Sequence, residues 1–277
     1  MALFEARVKV LEEKAREVRF HIIDMIHTAQ SGHPGGSLSA ADIMTALYFD
    51  ILSIDSRQPR APDRDRFVLS KGHACPVWYA CLALRGFFPV EELSTLRKIN
   101  SRLQGHPVAG KVPGIDATTG SLGIGFGQAV GMALEAKMSG KKYRIYVLLG
   151  DGELNEGIIW ESFHIANKFH LDNLTVIVDC NGLQNDGRGS DIMPMEPLEE
   201  KFKSLNCEVR RINGHQMREI LAVLDRAKVG FSKPLVILAD TVKGKGVTFM
   251  ENVWSWHGKA PNDTEYQKAI QDIKGAK

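Results

Sequence analysis

What this 277-residue chain lacks already narrows its chemistry. Its four cysteines, Cys75, Cys81, Cys180 and Cys207, form no CxxC pair and no Cys/His spacing suited to zinc. They are too few for a disulfide scaffold in a chain of this size, so reduced thiols and a cytoplasmic setting are expected. No apolar run approaches the ~20 residues of a membrane span. Met1-Ala2-Leu3-Phe4-Glu5 leads straight into a charged amphipathic segment rather than a signal peptide, and no membrane partner is expected. Neither sign of charge is in excess: 35 basic against 33 acidic residues give a formal net charge of +2. That balance gives no warrant for a surface built to bind nucleic acid or another polyanion, and no nucleic-acid partner is expected. Nor does a GxGxxG open a helix after a strand. The glycine-rich run Gly120 to Gly127 follows a loop and has the wrong spacing for a dinucleotide fold.

What is present reads as a soluble α/β protein. Hydrophobic residues make up 44% and charged residues 25%, enough apolar material for a substantial core in one large domain or two small ones. Val10, Leu11, Val18, Ile22, Met25 and Ile26 recur at spacings of three and four, which predicts a helix over about 3–29. It stops at Ser31-Gly32-His33-Pro34-Gly35-Gly36, a turn that helix geometry cannot cross. Helices are expected over 39–52 and 74–86, with a short strand at 66–70 between them. A turn-rich stretch, 107–127, passes into a small-residue helix through Ala136. Strands are then expected at 143–149, 174–180, 206–212 and 234–240, with helices at 156–169 and 216–229, and a short terminal helix. Strands alternating with helices of this length indicate a doubly wound, mainly parallel sheet with helices on both faces. No internal repeat or interdomain linker interrupts the pattern.

Ligands of such sheets bind beyond the carboxyl ends of the strands. Asp151, in Gly150-Asp151-Gly152, lies two residues past the 143–149 run, and Asn181 directly follows the 174–180 run. If a right-handed crossover pairs these strands side by side, two oxygen ligands meet at one sheet edge about 5 Å apart. That arrangement can hold a hard divalent cation against a diphosphate, and the flanking glycines let a phosphate approach the backbone. Taken alone, both segments are equally good tight turns.

The surrounding residues are more specific. Gly150-Asp151-Gly152-Glu153-Leu154-Asn155-Glu156-Gly157, continuing to Trp160-Glu161 and Asn181-Gly182-Leu183, resembles a thiamine diphosphate signature, and more narrowly its transketolase form. Ser31 to Gly36, Ser70-Lys71-Gly72-His73-Ala74, Gly105-His106-Pro107, Thr118 to Gly123 and Ser255-Trp256-His257-Gly258 agree in the same order. The resemblance implies that residues 1–277 form a single diphosphate-binding domain. It makes Asp151, Asn181 and the Leu183 carbonyl ligands of Mg²⁺, for which Ca²⁺ or Mn²⁺ can substitute. It places Gly120, Leu122, Gly152 (through its N–H), Asn181, His73 and His257 against thiamine diphosphate. His33 and His106, with His257, line the substrate channel, as groups for sugar hydroxyls and proton transfer. Glu156 is counted with the cofactor site, at a subunit contact that relays protons between two active sites; Glu161 reads as structural. His21, His27, His164 and His170 lie in expected helices and His215 opens one, so packing accounts for them.

The resemblance also implies a missing half. The glutamate that meets the aminopyrimidine ring and most sugar-phosphate arginines belong to a pyrimidine-binding domain that follows in transketolases. A C-terminal subunit carrying that domain is therefore the expected partner, in a heterotetramer acting on sugar phosphates. Ser121, Ile124 and Gln184-Asn185-Asp186-Gly187 depart from the usual transketolase loops, which affects substrate choice more than cofactor binding. A deoxyxylulose-phosphate synthase, the α subunit of a 2-oxo acid dehydrogenase and a non-catalytic cofactor-binding module remain the alternatives.

Overall fold

Apolar β-branched runs build the centre of the molecule. The computed structural model describes residues 2–275. Five strands, β1 (Arg66–Leu69), β2 (Ile145–Gly150), β3 (Leu174–Cys180), β4 (Glu208–Asn213) and β5 (Leu235–Asp240), form one parallel sheet in the order β1-β2-β3-β5-β4. The three inner strands are buried on both faces, which is why their sequences run apolar without alternation. β4, at one edge, exposes Arg210 and Arg211 instead, charges that discourage further strand pairing.

Helices cover both faces. On one, Tyr146, Leu148 and Ile237 of the sheet share a core with Ile22, Trp78 and Leu221. These come from α1 (Ala2–Ala29), α4 (Cys75–Leu84) and α9 (Met217–Val229), joined there by α2 (Pro34–Ser39), α3 (Ala41–Ala46) and α10 (Asp263–Gly275). On the other face, Val147, Val176 and Val178 pack with Phe126, Phe163 and Phe202. Those phenylalanines belong to α5 (Ile124–Met138), α6 (Gly157–Lys168) and α8 (Leu198–Ser204), with successive ring centroids 4.6 and 5.0 Å apart. A one-turn α7 (Gly189–Ile192) precedes α8. No described helix is long and apolar enough to cross a membrane.

The expected strands and long helices are present, with ends that coincide or are displaced by up to four residues. The largest difference is at Ser31–Gly36. The segment does end α1, but Pro34 opens a new helix there, because its fixed φ and missing N–H suit a first turn. The 39–52 helix is divided: α3 passes into a π-helical turn, Leu47–Ile51. The 3-10 turns at Val90–Thr95 and Gly152–Asn155, and α7 and α8, are not among the expected elements; each is too short to show a period.

One buried network ties α1 and α3 to the loop after β5. Arg19 donates to both Asp42 oxygens, at 2.9 and 2.6 Å. The Val242 N–H donates to His215 Nε2 at 2.8 Å, so the His215 proton sits on Nδ1 and is given to Asp42 at 2.8 Å. Burial alone would raise the Asp42 carboxyl, but Arg19 and His215 outweigh it and hold it at about 2. A depressed carboxyl contributes stability above its unfolded value of about 3.9 and loses it as pH falls through the folded value. Asp42→Asn is therefore expected to cost about 3–5 kcal/mol at neutral pH, by stranding Arg19. It should also remove about 2 kcal/mol of the stability lost between roughly pH 5 and pH 2. Urea titrations of both proteins across that range measure the two effects.

Candidate active site

The site forms where parallel register brings two loops together. Gly150 at the end of β2 lies opposite Asp179 of β3, and the Asp151 N–H donates to the Asp179 carbonyl at 3.2 Å. Asp151 and Asn181 thus leave neighbouring strands at the same sheet edge. Beside them is a cavity of about 290 Å³. Asp151, Asn181 and Leu183 line it, as do Gly120, Leu122, Gly152, His33, His73 and His257. His106 and Glu156 do not. His106 is exposed at the rim, its ring 6.5 Å from that of His33. Glu156 is exposed at the N-cap of α6, beside Gly123 and outside the cavity lining.

Asp179 organises the centre of this edge. It is fully buried, and its carboxylate accepts from Lys71 Nζ, Ser39 Oγ, Thr241 Oγ1 and Asn181 Nδ2. Burial pushes its pKa up, and the Lys71 charge and hydroxyl donors bring it below the ordinary carboxylate value. Because Asp179 claims the Asn181 amide NH₂, the Asn181 oxygen is turned to the loop, where it accepts from the Leu183 N–H at 3.1 Å. Gly182, at φ +71, supplies the left-handed turn between them.

Asp151 accepts from the N–H groups of Gly152 (2.8 Å) and Gly182 (2.6 Å). The Gly152 N–H expected to face a diphosphate is therefore given to Asp151, which caps the 3-10 turn Gly152–Asn155. Burial, then the charge of Asp179, raises Asp151 to about 6. A divalent cation would relieve that destabilised charge. Among the described residues no group of three His, Cys, Asp or Glu is placed to hold a metal. The donors present, one carboxylate, one carboxamide oxygen and one carbonyl, are hard oxygens that fit Mg²⁺ or Ca²⁺ only when phosphate or water completes the shell.

The opposite wall is cationic and imidazole-rich. Lys71 and Lys243 are each only 2% exposed. Lys243 Nζ donates its three protons to the Leu183 carbonyl (3.0 Å), the Gln184 carbonyl (3.2 Å) and His257 Nδ1 (3.0 Å). Burial, then Lys71, lowers Lys243 to about 8. The rings of His33, His73 and His257 lie 4.9–5.4 Å apart. Burial first, and neighbouring cations second, lower His33 to about 4, His257 to about 3, and His73 and His106 below the ordinary value. All four are neutral near pH 7, so what they offer is hydrogen-bonding groups rather than positive charge.

Lys71, Glu153, Asp179 and Lys243 are not singled out by the sequence. Glu153 is buried and accepts from Ser70 Oγ and from the N–H groups of Gly123 (2.7 Å) and Gly150 (3.1 Å), holding the 120–123 loop against the 150–152 turn. Gly123 has φ +82, and a Cβ there would lie 2.4 Å from Ile158. Two signals could have found the missed charges. Asp179 is a carboxylate ahead of the last residue of an otherwise apolar strand, and Lys243 follows β5 at the same sheet edge as Asp151.

Residues 10–275 match the family described as transketolase, thiamine diphosphate binding domain. The chain is 41% identical to a 6-deoxy-6-sulfo-D-fructose transketolase subunit of Clostridium sp. (strain MSTE9), over 95% of this chain and 96% of that one. It is 38% identical to an apulose-4-phosphate transketolase subunit of Phocaeicola vulgatus, over 96% and 95% of the respective chains. A crystal structure of transketolase from Campylobacter jejuni superposes with a TM-score of 0.91 at 34% identity, over 96% of this chain but 43% of that one. The match thus spans nearly all of the two subunits and less than half of the longer enzyme.

Lys71→Met is expected to lower stability by about 3–5 kcal/mol, since it leaves the Asp179 charge buried without its ammonium partner. Chemical denaturation measures the loss. A cost within about 1 kcal/mol would show that the hydroxyl and amide donors hold Asp179 without Lys71.

Proposed function

Because the chain belongs to the transketolase family through its thiamine diphosphate binding domain, we propose that it is the diphosphate-binding subunit of a two-chain transketolase. The observation that carries this reading is the convergence of Asp151, Asn181 and Leu183 with His33, His73 and His257 around one cavity. Asp151, Asn181 and the Leu183 carbonyl would hold Mg²⁺, with Ca²⁺ or Mn²⁺ as substitutes, against the diphosphate. The Leu183 carbonyl has a second lone pair free beside its bond from Lys243. Lys71, Lys243, His73 and His257 form the wall facing the negative charge, with Gly120, Leu122 and Gly152 leaving room for it.

When bound, the cofactor supplies the nucleophilic carbon that carries a two-carbon ketol unit from a ketose phosphate to an aldose phosphate. The chain's own residues bind, orient and move protons. Neutral His33, His106 and His257 offer donors and acceptors to sugar hydroxyls, and can take or return a proton as the sugar reacts. The exposure of His106 at the rim suits a group that meets substrate. The exposure of Glu156 suits a contact with another subunit rather than direct cofactor binding.

A separate C-terminal subunit with the pyrimidine-binding domain would complete the site, in a heterotetramer. Support comes from relatives of matching length that are named as transketolase subunits. Residues 1–277 then act as one diphosphate-binding domain. Free cysteines at all four positions accord with a cytoplasmic setting. Pentose phosphates are the first substrates to test.

Two measurements test this reading. Asp151→Ala should weaken Mg²⁺-dependent thiamine diphosphate binding by more than about 100-fold, since even groups that only support a metal ligand contribute 10–100-fold. Titration calorimetry on the chain with its co-purifying partner would refute the metal role if affinity were unchanged. The purified chain alone, given Mg²⁺ and thiamine diphosphate, should show no ketol transfer. Full activity without a second chain would sink the two-chain proposal.

A further inference from the structure

Arg97 stands behind the histidines of the cavity, and among the described residues no acid is paired with it. It follows the 3-10 turn Val90–Thr95, and its backbone is left-handed at φ +58, unusual for a residue with a side chain. The guanidinium reaches Ser31 Oγ (Nη1, 3.3 Å), the Gly105 carbonyl (Nη2, 3.3 Å) and His33 Nδ1 (Nη2, 3.4 Å). Its Nε is buried and unpartnered. Among the described residues no carboxylate forms an ion pair with Arg97. Backbone strain and an uncompensated cation are both costs, and both are concentrated where the chain passes under His33 and His106.

We propose that Arg97 is a positioning residue: it fixes His33 as the neutral imidazole protonated on Nε2, so that His33 presents a hydrogen-bond donor to the cavity. A guanidinium carries only donors, so the nitrogen facing it must hold a lone pair. With Nδ1 accepting, the single proton of neutral His33 lies on Nε2. The alternative tautomer would set an N–H against an N–H. The Nε2 edge is left open by Gly258, whose missing Cβ would lie 3.6 Å from it.

The groups around His33 reinforce this state. His73 packs against it from the 3-10 turn Gly72–Ala74, His257 from the turn following Trp254–Trp256, and His106 from the loop after Gly105. Lys243, from the loop after β5, adds a further positive charge. None of these groups is an acid, so none of them favours imidazolium. Burial and the Arg97 charge then work in the same direction on His33 and on His106.

The inference rests on the proposed function only in taking His33 to face the sugar; the tautomer itself is independent of cofactor and activity. Long-range proton–nitrogen correlation spectra of the full chain, labelled with ¹⁵N-histidine and assigned with His33→Gln, test it directly. His33 is expected to show a protonated Nε2 and a bare Nδ1, and not to titrate between about pH 5 and 8. In Arg97→Met, its two tautomers should mix and its midpoint should rise by roughly one unit or more. Arg97→Lys, which keeps the charge, should hold the midpoint low. A proton on Nδ1 of the unaltered chain would overturn the proposal, whether or not the variants fold. So would an Arg97→Met chain whose His33 keeps both its tautomer and its midpoint. Failure of the intact pair to bind thiamine diphosphate would instead remove the functional reading and leave the tautomer assignment standing.

Discussion

Asp179 carries a full charge at the end of β3 with no solvent around it, and that charge survives because donors from four segments meet it. Lys71 comes from the loop after β1, Ser39 from α2, Thr241 from the loop after β5, and Asn181 from its own strand end. An isolated carboxylate could not stay ionised there, so its burial demands these segments in these places. Lys71 also reaches the Gly36 carbonyl at 2.9 Å, which ties α2 into the same network. The demand has a chemical consequence two residues on. By taking the Asn181 NH₂, Asp179 decides which way the amide oxygen points, and so orients one of the oxygens proposed to meet a cation.

The electrostatics of the cavity follow from a division between two walls. On one, the half-buried Asp151 and the buried Glu153 have their charge met by backbone N–H groups rather than by partner cations. On the other, burial first, and then the charges of Lys71, Lys243 and, from behind, Arg97, keep His33, His73 and His257 neutral. A divalent cation would balance the first wall and a polyanion the second. An Mg²⁺–diphosphate pair is the kind of ligand that satisfies both at once. Neutral imidazoles with defined proton positions are also better suited to hydrogen-bonding a sugar than freely titrating ones, because their donor and acceptor edges do not change near neutral pH.

Much of this is legible along the chain. Periods of two kinds separate long helices from buried strands, which places α1, α5, α6, α9 and the central strands to within a few residues. Asp151 and Asn181 can be paired because strand ends of a parallel sheet share an edge. The order of motifs is specific enough to indicate the family. The short elements are not legible: α2, α7 and α8 each span seven residues or fewer. Pro34 reads as part of a stop, although it is equally a start, and only the packing of α2 against the sheet edge separates the two.

The sequence by itself determined the apolar strands, the helices that cover them and the residue types available at the strand ends, because these depend on local periodicity and composition. It could nominate oxygen ligands and histidines for one site. Tertiary structure decided which of them meet. It put His106 at the rim and Glu156 outside the cavity, gave the Gly152 N–H to Asp151, and brought Lys71, Asp179 and Lys243 together from three strand ends. It also set Arg97 against His33 across 64 positions of chain. Burial, charge balance and the direction of a hydrogen bond are properties of neighbours in space, so no one-dimensional pattern contains them.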